Sequence, residues 1–328
     1  MNNYVLEVNS GQSNSAGTKA KQDVTYFLKR KNFKVVTIKT PKRKIMRLFL
    51  GREIISKSLK NIKSGNFVFQ YPMYSRVMSN YLLNCLKRKK NIKKILVIHD
   101  IESLRLNKDE RNGISKEISF FNKFDKVISH NPNMSKWLIE NGLKVPVKNL
   151  IIFDYNNPQP MSSSKFDRSI SFAGNLEKSK FLNKLKIRSD VYLMGPGATQ
   201  NYPENIHYKG VFTPEEVPAQ LTKGFGLVWD GDSIETCNGL FGEYMKFNNP
   251  HKVSLYLSSG MPVIIWNQSA MADFIKEKNI GIVTESLSNL DELLNQVTEE
   301  NYLEMEKNVN QVAHDLRNGA YIYNAVLN

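Results

Sequence analysis

The sequence predicts an α/β protein made of two Rossmann-like domains in tandem, and three observations carry that prediction. Short apolar runs alternate with amphipathic stretches of helical period through the whole chain, the pattern of parallel sheets covered by helices. The length, 328 residues, is about twice that of an ordinary domain. The charge also changes sign along the chain. Residues 1–150 hold 31 Lys and Arg against 10 Asp and Glu, net +21, whereas residues 151–328 hold 15 against 21, net −6.

In the first half, strands are expected at 4–9, 33–38, 66–71, 94–100, 126–130 and 149–153. Helices are expected at about 18–31, 52–63, 76–89, 113–122 and 133–141. The stretch NNPQPMSSSKF (156–166) carries two prolines and three serines and reads as a linker. The second half restarts the alternation, with strands at 169–174, 190–195, 206–211, 225–230, 262–266 and 281–284. Its helices are expected at about 180–187, 214–222, 249–259, 268–278 and 287–296. The last stretch reads as helical and ends in AYIYNAVL, which suits packing back on the protein or on a partner. The expected domains are therefore 1–155 and 166–310, with a C-terminal helix at 311–328.

Composition narrows the function. Cys85 and Cys237 lie in different halves and fit no metal spacing. No stretch of about 18 apolar residues is present and no basic region precedes an apolar run, so a cytoplasmic protein without signal peptide or transmembrane segment is expected. The basic clusters KRKN (29–32), PKRK (41–44) and KRKKNIKK (87–94) sit beside expected strands. A solvated surface, an anionic membrane surface and an acidic partner all remain open for them. No aromatic interleaving suggests base stacking, so nucleic acid is not expected.

The segments that could carry chemistry fall at expected sheet edges, where open α/β sheets bind ligands. The first strand runs into SGQSNSAGTKAK, a loop of small polar residues placing Asn14, Ser15, Ala16 and Gly17 nearest a ligand. It is not a G-x-G-x-x-G loop, and the second strand ends without an acidic residue for a ribose, so a nicotinamide cofactor is disfavoured. G-x-x-x-x-G-K-[ST] is absent too. The fourth strand ends in His99-Asp100 and the fifth in His130, which makes His99 a catalytic candidate beside Asp100 and His130 a candidate for binding substrate. Asp100 is a candidate general base or the cap of the next helix. In FAGNLEKSKFL (172–182), Gly174 permits close backbone approach, and Asn175, Lys178 and Lys180 suit phosphate or sugar oxygens. Tyr208, in YKGVF, offers an aromatic face to a base.

The stretch NNPHKVSLYLSSGMPVI (248–264) is the most informative. Asn249 is expected to cap a helix and Pro250 to open it, which sets His251 and Lys252 on the first turn. Cations there oppose the helix dipole unless an anion lies between, and that points to a bound phosphate. Asp230-Gly231-Asp232 has the spacing of a metal-carrying D-x-D, but it follows a strand in a glycine-containing loop, and no other carboxylates are placed to complete an oxygen shell. No metal site is expected.

Taken together, FAGNLEKS, GLVWDGDS and NPHKVSLYLSSGMPVI resemble the bacterial glucosyltransferases that act second in O-glycosylation of serine-rich repeat adhesins in streptococci and lactobacilli. The resemblance covers essentially the whole chain. It implies a GT-B fold, two Rossmann-like domains with parallel sheets facing a central cleft. It implies glucose transfer from UDP-glucose, as donor substrate and without cofactor or metal, to N-acetylglucosamine (GlcNAc) on Ser or Thr of a serine-rich glycoprotein, by a homotetramer. It assigns Gly174, Asn175, Lys178, Tyr208, His251, Lys252 and Ser254 to UDP, and Asn14, Ser15 and Gly17 to closure over donor and acceptor. Retaining enzymes of the wider group commonly carry a glutamate where this chain has Leu255, so the stereochemical outcome does not transfer. A transferase for cell-wall or capsular polysaccharide, a non-catalytic glycoprotein-binding partner and a UDP-sugar epimerase are the competing readings.

Overall fold

Val, Ile and Phe dominate the runs that become strands, and buried parallel strands favour such residues on both faces. The computed structural model describes residues 2–9, 16–73, 75–106, 111–161, 165–199 and 202–328. It separates into two units, one of Met1–Ile151 with Gly319–Asn328 and the other of Ile152–Asn318.

The first unit contains strands β1 (Asn3–Asn9), β2 (Phe33–Lys39), β3 (Ser64–Tyr71), β4 (Asn91–Ile98), β5 (Lys126–Ser129) and β6 (Val147–Asn149). Its helices are α1 (Ala16–Arg30), α2 (Lys44–Ser58), α3 (Arg76–Lys87), α4 (Glu102–Leu106), α5 (Arg111–Phe121) and α6 (Pro132–Glu140). The strands form one parallel sheet in the order β2-β1-β3-β4-β5-β6. Chain direction across the sheet reverses between β1 and β3, the position where such sheets open a crevice at their carboxyl edge. Ile95 to Ile98 of β4 are all buried, as a central strand covered on both faces requires.

The second unit contains β7 (Lys165–Ala173), β8 (Val191–Met194), β9 (Ile206–Gly210), β10 (Lys223–Val228), β11 (Val263–Trp266) and β12 (Gly281–Thr284). Its helices are α7 (Gly239–Tyr244), α8 (His251–Ser258), α9 (Ala272–Lys278), α10 (Leu290–Gln296) and α11 (Glu299–Asn318). The sheet is again parallel, in the order β12-β11-β10-β7-β8-β9, so the reversal falls between β7 and β10. Gly319, at φ 74°, breaks the helix, and the chain returns to the first unit as α12 (Ala320–Leu327). There Tyr323 donates to the Phe27 carbonyl of α1 at 2.7 Å, and Lys148 donates to the Asn324 carbonyl at 2.9 Å.

Several elements differ from expectation. Helix α2 covers 44–58 instead of 52–63, because the apolar run IMRLFL is helical and solvent-facing rather than core-facing. Strand β6 covers 147–149 instead of 149–153: the Leu150 and Ile151 N–H groups still reach the Ser129 and His130 carbonyls at 2.8 and 2.9 Å, but Ile151 turns the chain at φ 76°, and Ile152 and Phe153 are buried beyond the strand. The helices expected at 180–187 and 214–222 are short 3₁₀ turns at 180–184 and 217–220. Helix α7 was not expected at all.

Two contacts set the geometry of the second unit. A Cβ at Gly226 of β10 would lie 2.2 Å from Tyr256 Cγ, so α8 rests directly on the backbone of β10. The Tyr256 hydroxyl in turn accepts the Ala173 N–H at 2.8 Å, tying α8 to the carboxyl end of β7. Gly226→Ala is expected to destabilise the protein by about 1–3 kcal/mol through overpacking. A urea midpoint unchanged from wild type would contradict that contact.

His130 is 1% exposed, and burial lowers its pKa to about 3. The unfolded chain therefore binds this proton near pH 6.5 and the folded chain does not, so stability present above pH 6.5 is lost as pH falls toward 3. Between pH 7 and pH 5 the stability gap between wild type and His130→Gln should narrow by about 2 kcal/mol. A gap that stays constant in urea titrations at the two pH values would contradict it.

Candidate functional site

Helix α8 begins where Asn249-Pro250 turns the chain toward the sheet. Pro250 itself occupies the cap position and Asn249 the one before, a shift of one residue from expectation. Pro250 has no side chain that can cap the helix, and the helix start carries partial positive charge. Tyr256, one turn on, holds it at the carboxyl edge between β7 and β10.

Lys252 leaves this first turn and is 19% exposed. Its Nζ lies 3.2 Å from Asp230 Oδ1, 3.4 Å from the Trp229 carbonyl and 4.4 Å from the Phe172 ring centroid. A Cβ at Gly174 would lie 3.4 Å from Lys252 Cε. The ammonium thus stands at the reversal point, between the residues that follow β7 and β10. The loop carrying Asp230 is internally bonded. The Asn238 carboxamide accepts the Asp232 N–H at 2.9 Å and donates to Asp232 Oδ1 at 2.6 Å, and the Trp229 indole donates to the Ser233 carbonyl at 2.8 Å. Among the described residues no group of three or more His, Cys, Asp or Glu is arranged to hold a metal ion. Burial raises the pKa of the nearby Cys237 thiol.

The other residues expected in this unit are placed around that point. His251 stacks on Tyr155, ring centroids 5.1 Å apart and tilted by 36°. Asn249 is buried. Ser254 points into the unit and donates to the Phe153 carbonyl at 2.6 Å. Asn175 accepts the Lys178 N–H at 3.3 Å and so caps the short turn after Gly174. Lys178 and Lys180 are exposed, with the Lys178 ammonium 4.7 Å from the Phe241 ring centroid. Tyr208 donates to the Gly195 carbonyl at 3.1 Å and leaves its ring partly exposed. The Gly174 carbonyl would sit 1.8 Å from a Cβ at Gly195, which has φ 139°; the loops after β7 and β8 therefore meet backbone to backbone. Gly174 and Lys252 are brought together, and Tyr208 is joined through Gly195 to the loop of Gly174; Lys180 makes no such link.

In the first unit, Asn14 and Ser15 lie outside the described residues, and Ala16 and Gly17 form the first turn of α1. His99 is buried with Nε2 2.8 Å from Gln70 Oε1, and Gln70 also donates to the Leu6 carbonyl and the Thr25 hydroxyl. This network locks β1, β3, β4 and α1 together. His130 Nε2 lies 3.1 Å from the Ile98 carbonyl. Asp100 pairs with Arg105 at 3.0 Å; burial raises its carboxyl pKa, against the opposing pull of Arg105 and Lys21. Burial lowers Lys21 to about 8, although Asp100 and Glu102 raise it.

Sequence reasoning missed a second polar centre here. Glu117, buried on α5, accepts from the Tyr71 hydroxyl at 2.6 Å, from the Glu102 and Ser103 N–H groups at 3.1 and 2.9 Å, and from the Ser103 hydroxyl. It lines a cavity of about 420 Å³ with Tyr71, Arg76, Asn80, Lys116 and Phe120. The only signal was a glutamate on the apolar face of ISKEISFF. It also missed the pairing of Asp230 with Lys252, which depends on how α8 packs on β10.

Models of the glucosyltransferase 3-like N-terminal and C-terminal domains match residues 2–152 and 170–328. The chain is 32% identical over 284 residues to the beta-1,6-galactofuranosyltransferase WbbI of Escherichia coli K12, spanning 82% of this chain and 83% of that one. It is 28% identical over 232 residues to glucosyltransferase 3 of Streptococcus gordonii, spanning 70% and 68%. In fold it is similar to sucrose-phosphate synthase from Thermosynechococcus elongatus, with a TM-score of 0.65 at 10% identity over 98% and 96% of the two chains. It is likewise similar to alpha,alpha-trehalose 6-phosphate synthase from Burkholderia multivorans, with a TM-score of 0.58 at 9% identity over 100% and 98%. Two parallel six-stranded sheets, both matched domain models and a relative about one-third identical over most of its length lead to one conclusion: the chain belongs to the glucosyltransferase 3-like family of GT-B glycosyltransferases.

Proposed function

We propose that this glycosyltransferase moves a hexosyl group from a UDP-sugar to a saccharide acceptor, with protein cations instead of a metal ion offsetting the charge of the departing diphosphate. The observation that carries this reading is Lys252, held on the first turn of α8 at the reversal point of the second sheet. As the bond between the anomeric carbon and the diphosphate oxygen breaks, negative charge grows on the diphosphate. A preorganised ammonium and oriented N–H groups stabilise that charge most where water is partly excluded. His251, Lys178 and Lys180 add positive or donor groups, while Gly174 and Asn175 let the backbone approach the ligand. Tyr208 is assigned to the uracil, Asn249 and Ser254 to shaping the helix start. The first unit is assigned to the acceptor, with Asn14, Ser15, Ala16 and Gly17 contributing. His99 and His130 hold the strand ends that carry the general base, Asp100. A raised carboxyl pKa suits a base that takes the acceptor hydroxyl's proton as the new glycosidic bond forms.

For the donor, the greater identity to a beta-1,6-galactofuranosyltransferase favours UDP-galactofuranose. The second reading is UDP-glucose with O-linked GlcNAc on a serine-rich glycoprotein, by a homotetramer, and the match to both glucosyltransferase 3-like domain models favours it. A screen of UDP-hexoses against saccharide and GlcNAc-bearing Ser/Thr peptide acceptors, read by mass with and without EDTA, separates them. A gain of one hexose from either donor, unaffected by chelator, is expected. Transfer abolished by EDTA would contradict the role given to the cations.

Lys252→Ala should lower kcat by about 10²–10³-fold while the protein stays folded. Parent-level turnover would remove the basis of the mechanism. Asp100→Asn should lower kcat by about 10²–10⁴-fold and leave UDP affinity unchanged. Equal loss of UDP affinity and turnover would assign Asp100 a structural role instead.

A further inference from the structure

The first two turns of α2 carry a surface that the transfer reaction does not use. Ile45, Met46, Leu48, Phe49 and Leu50 are all exposed, Phe49 at 79% and Ile45 at 67%. Gly51 and Ile55, on the side of the helix away from Phe49, are buried, Gly51 against Met78 and Tyr81 of α3. The helix is therefore anchored along one line and overhangs solvent with the apolar residues outward. Lys42, Arg43, Lys44, Arg47 and Arg52 surround them, and residues 41–52 contain no acid. Arg47 donates to the Pro41 carbonyl at 2.6 Å and the Lys42 carbonyl at 3.0 Å, which fixes the turn presenting the first three cations. The next acid, Glu53, is paired with Lys57 at 2.6 Å.

We propose that this end of α2 is a membrane-docking surface that enters the headgroup region of an anionic lipid bilayer. Exposed bulky apolar residues mixed with Lys and Arg are the composition that seats a helix in a membrane interface. The cations meet lipid phosphates while Ile45 and Phe49 enter the acyl boundary. At 100° per residue the five apolar side chains span an arc of roughly 200°. So convex a surface is poorly covered by one rigid protein face, whereas a fluid interface wraps it. A second copy of this patch would bring no acid to its five cations, whereas anionic headgroups would. No helix among the described residues is long and apolar enough to cross a membrane, so the contact is peripheral.

The test is flotation of the full chain with lipid vesicles, which does not depend on the sugar transferred. The vesicles are phosphatidylcholine alone or phosphatidylcholine with about one-third phosphatidylglycerol. Wild type should float with the anionic vesicles at about 0.1 M salt, at least about tenfold less with the neutral ones, and less again at about 0.5 M salt. Ile45→Ser with Phe49→Ser, and separately Lys42→Glu with Arg43→Glu, should each weaken flotation at least about tenfold. Both variants should keep the wild-type melting temperature, since the altered side chains are exposed. Absence of wild-type flotation, or variants that float like wild type, would overturn the proposal. So would a loss of oligomeric size on gel filtration in the Ile45/Phe49 variant, which would make the patch a contact between copies.

Discussion

The second unit is organised around one partly buried ammonium. Removing Lys252 from water is costly unless other charge replaces the lost hydration, and Asp230, the Trp229 carbonyl and the face of Phe172 supply it. The consequence is orientation. A lysine normally samples many rotamers, but this one is confined to the carboxyl edge by partners on two neighbouring strands. Its position depends on α8, and α8 depends on the absence of a side chain at Gly226 and on the Tyr256 hydroxyl bond to Ala173. A chain of short contacts thus runs from the centre of the sheet to the group assigned to the diphosphate.

The two units solve the same problem with different electrostatics. The second sheet places a single cation at its reversal point. The first carries a denser set: Lys21, Asp100, Arg105 and Glu117 gather near the carboxyl ends of β3 and β4. Glu117 is saturated by donors, which suits a structural part. Asp100 has one guanidinium partner and a carboxyl pKa raised by burial, which suits a part in proton transfer.

Much of this was legible in the sequence because local rules dominate. The alternation of strand and helix located nearly every strand within two or three residues, and the N-P-H-K order located the helix start that carries Lys252. What the sequence hid depends on tertiary packing. Residues 45–50 look like core by composition, yet only the position of α3 shows that they face outward. The run at 149–153 has the residues of a strand, but Ile151 takes a left-handed turn and the regular strand ends at Asn149. Asp230 and Lys252 are 22 residues apart and meet because α8 packs on β10, with Tyr256 lying over Gly226. Glu117 was invisible for a similar reason, since its donors come from Tyr71 and the start of α4.

The most direct measurement compares UDP with uridine as ligands by calorimetry. If the Lys252 ammonium acts on the diphosphate, removing it by Lys252→Ala should weaken UDP by roughly 10–100-fold, as loss of a charge-assisted contact does. Uridine, which has no phosphate, should bind both proteins alike. Equal weakening of the two ligands, or none for UDP, would contradict the assignment of this cation to the leaving group.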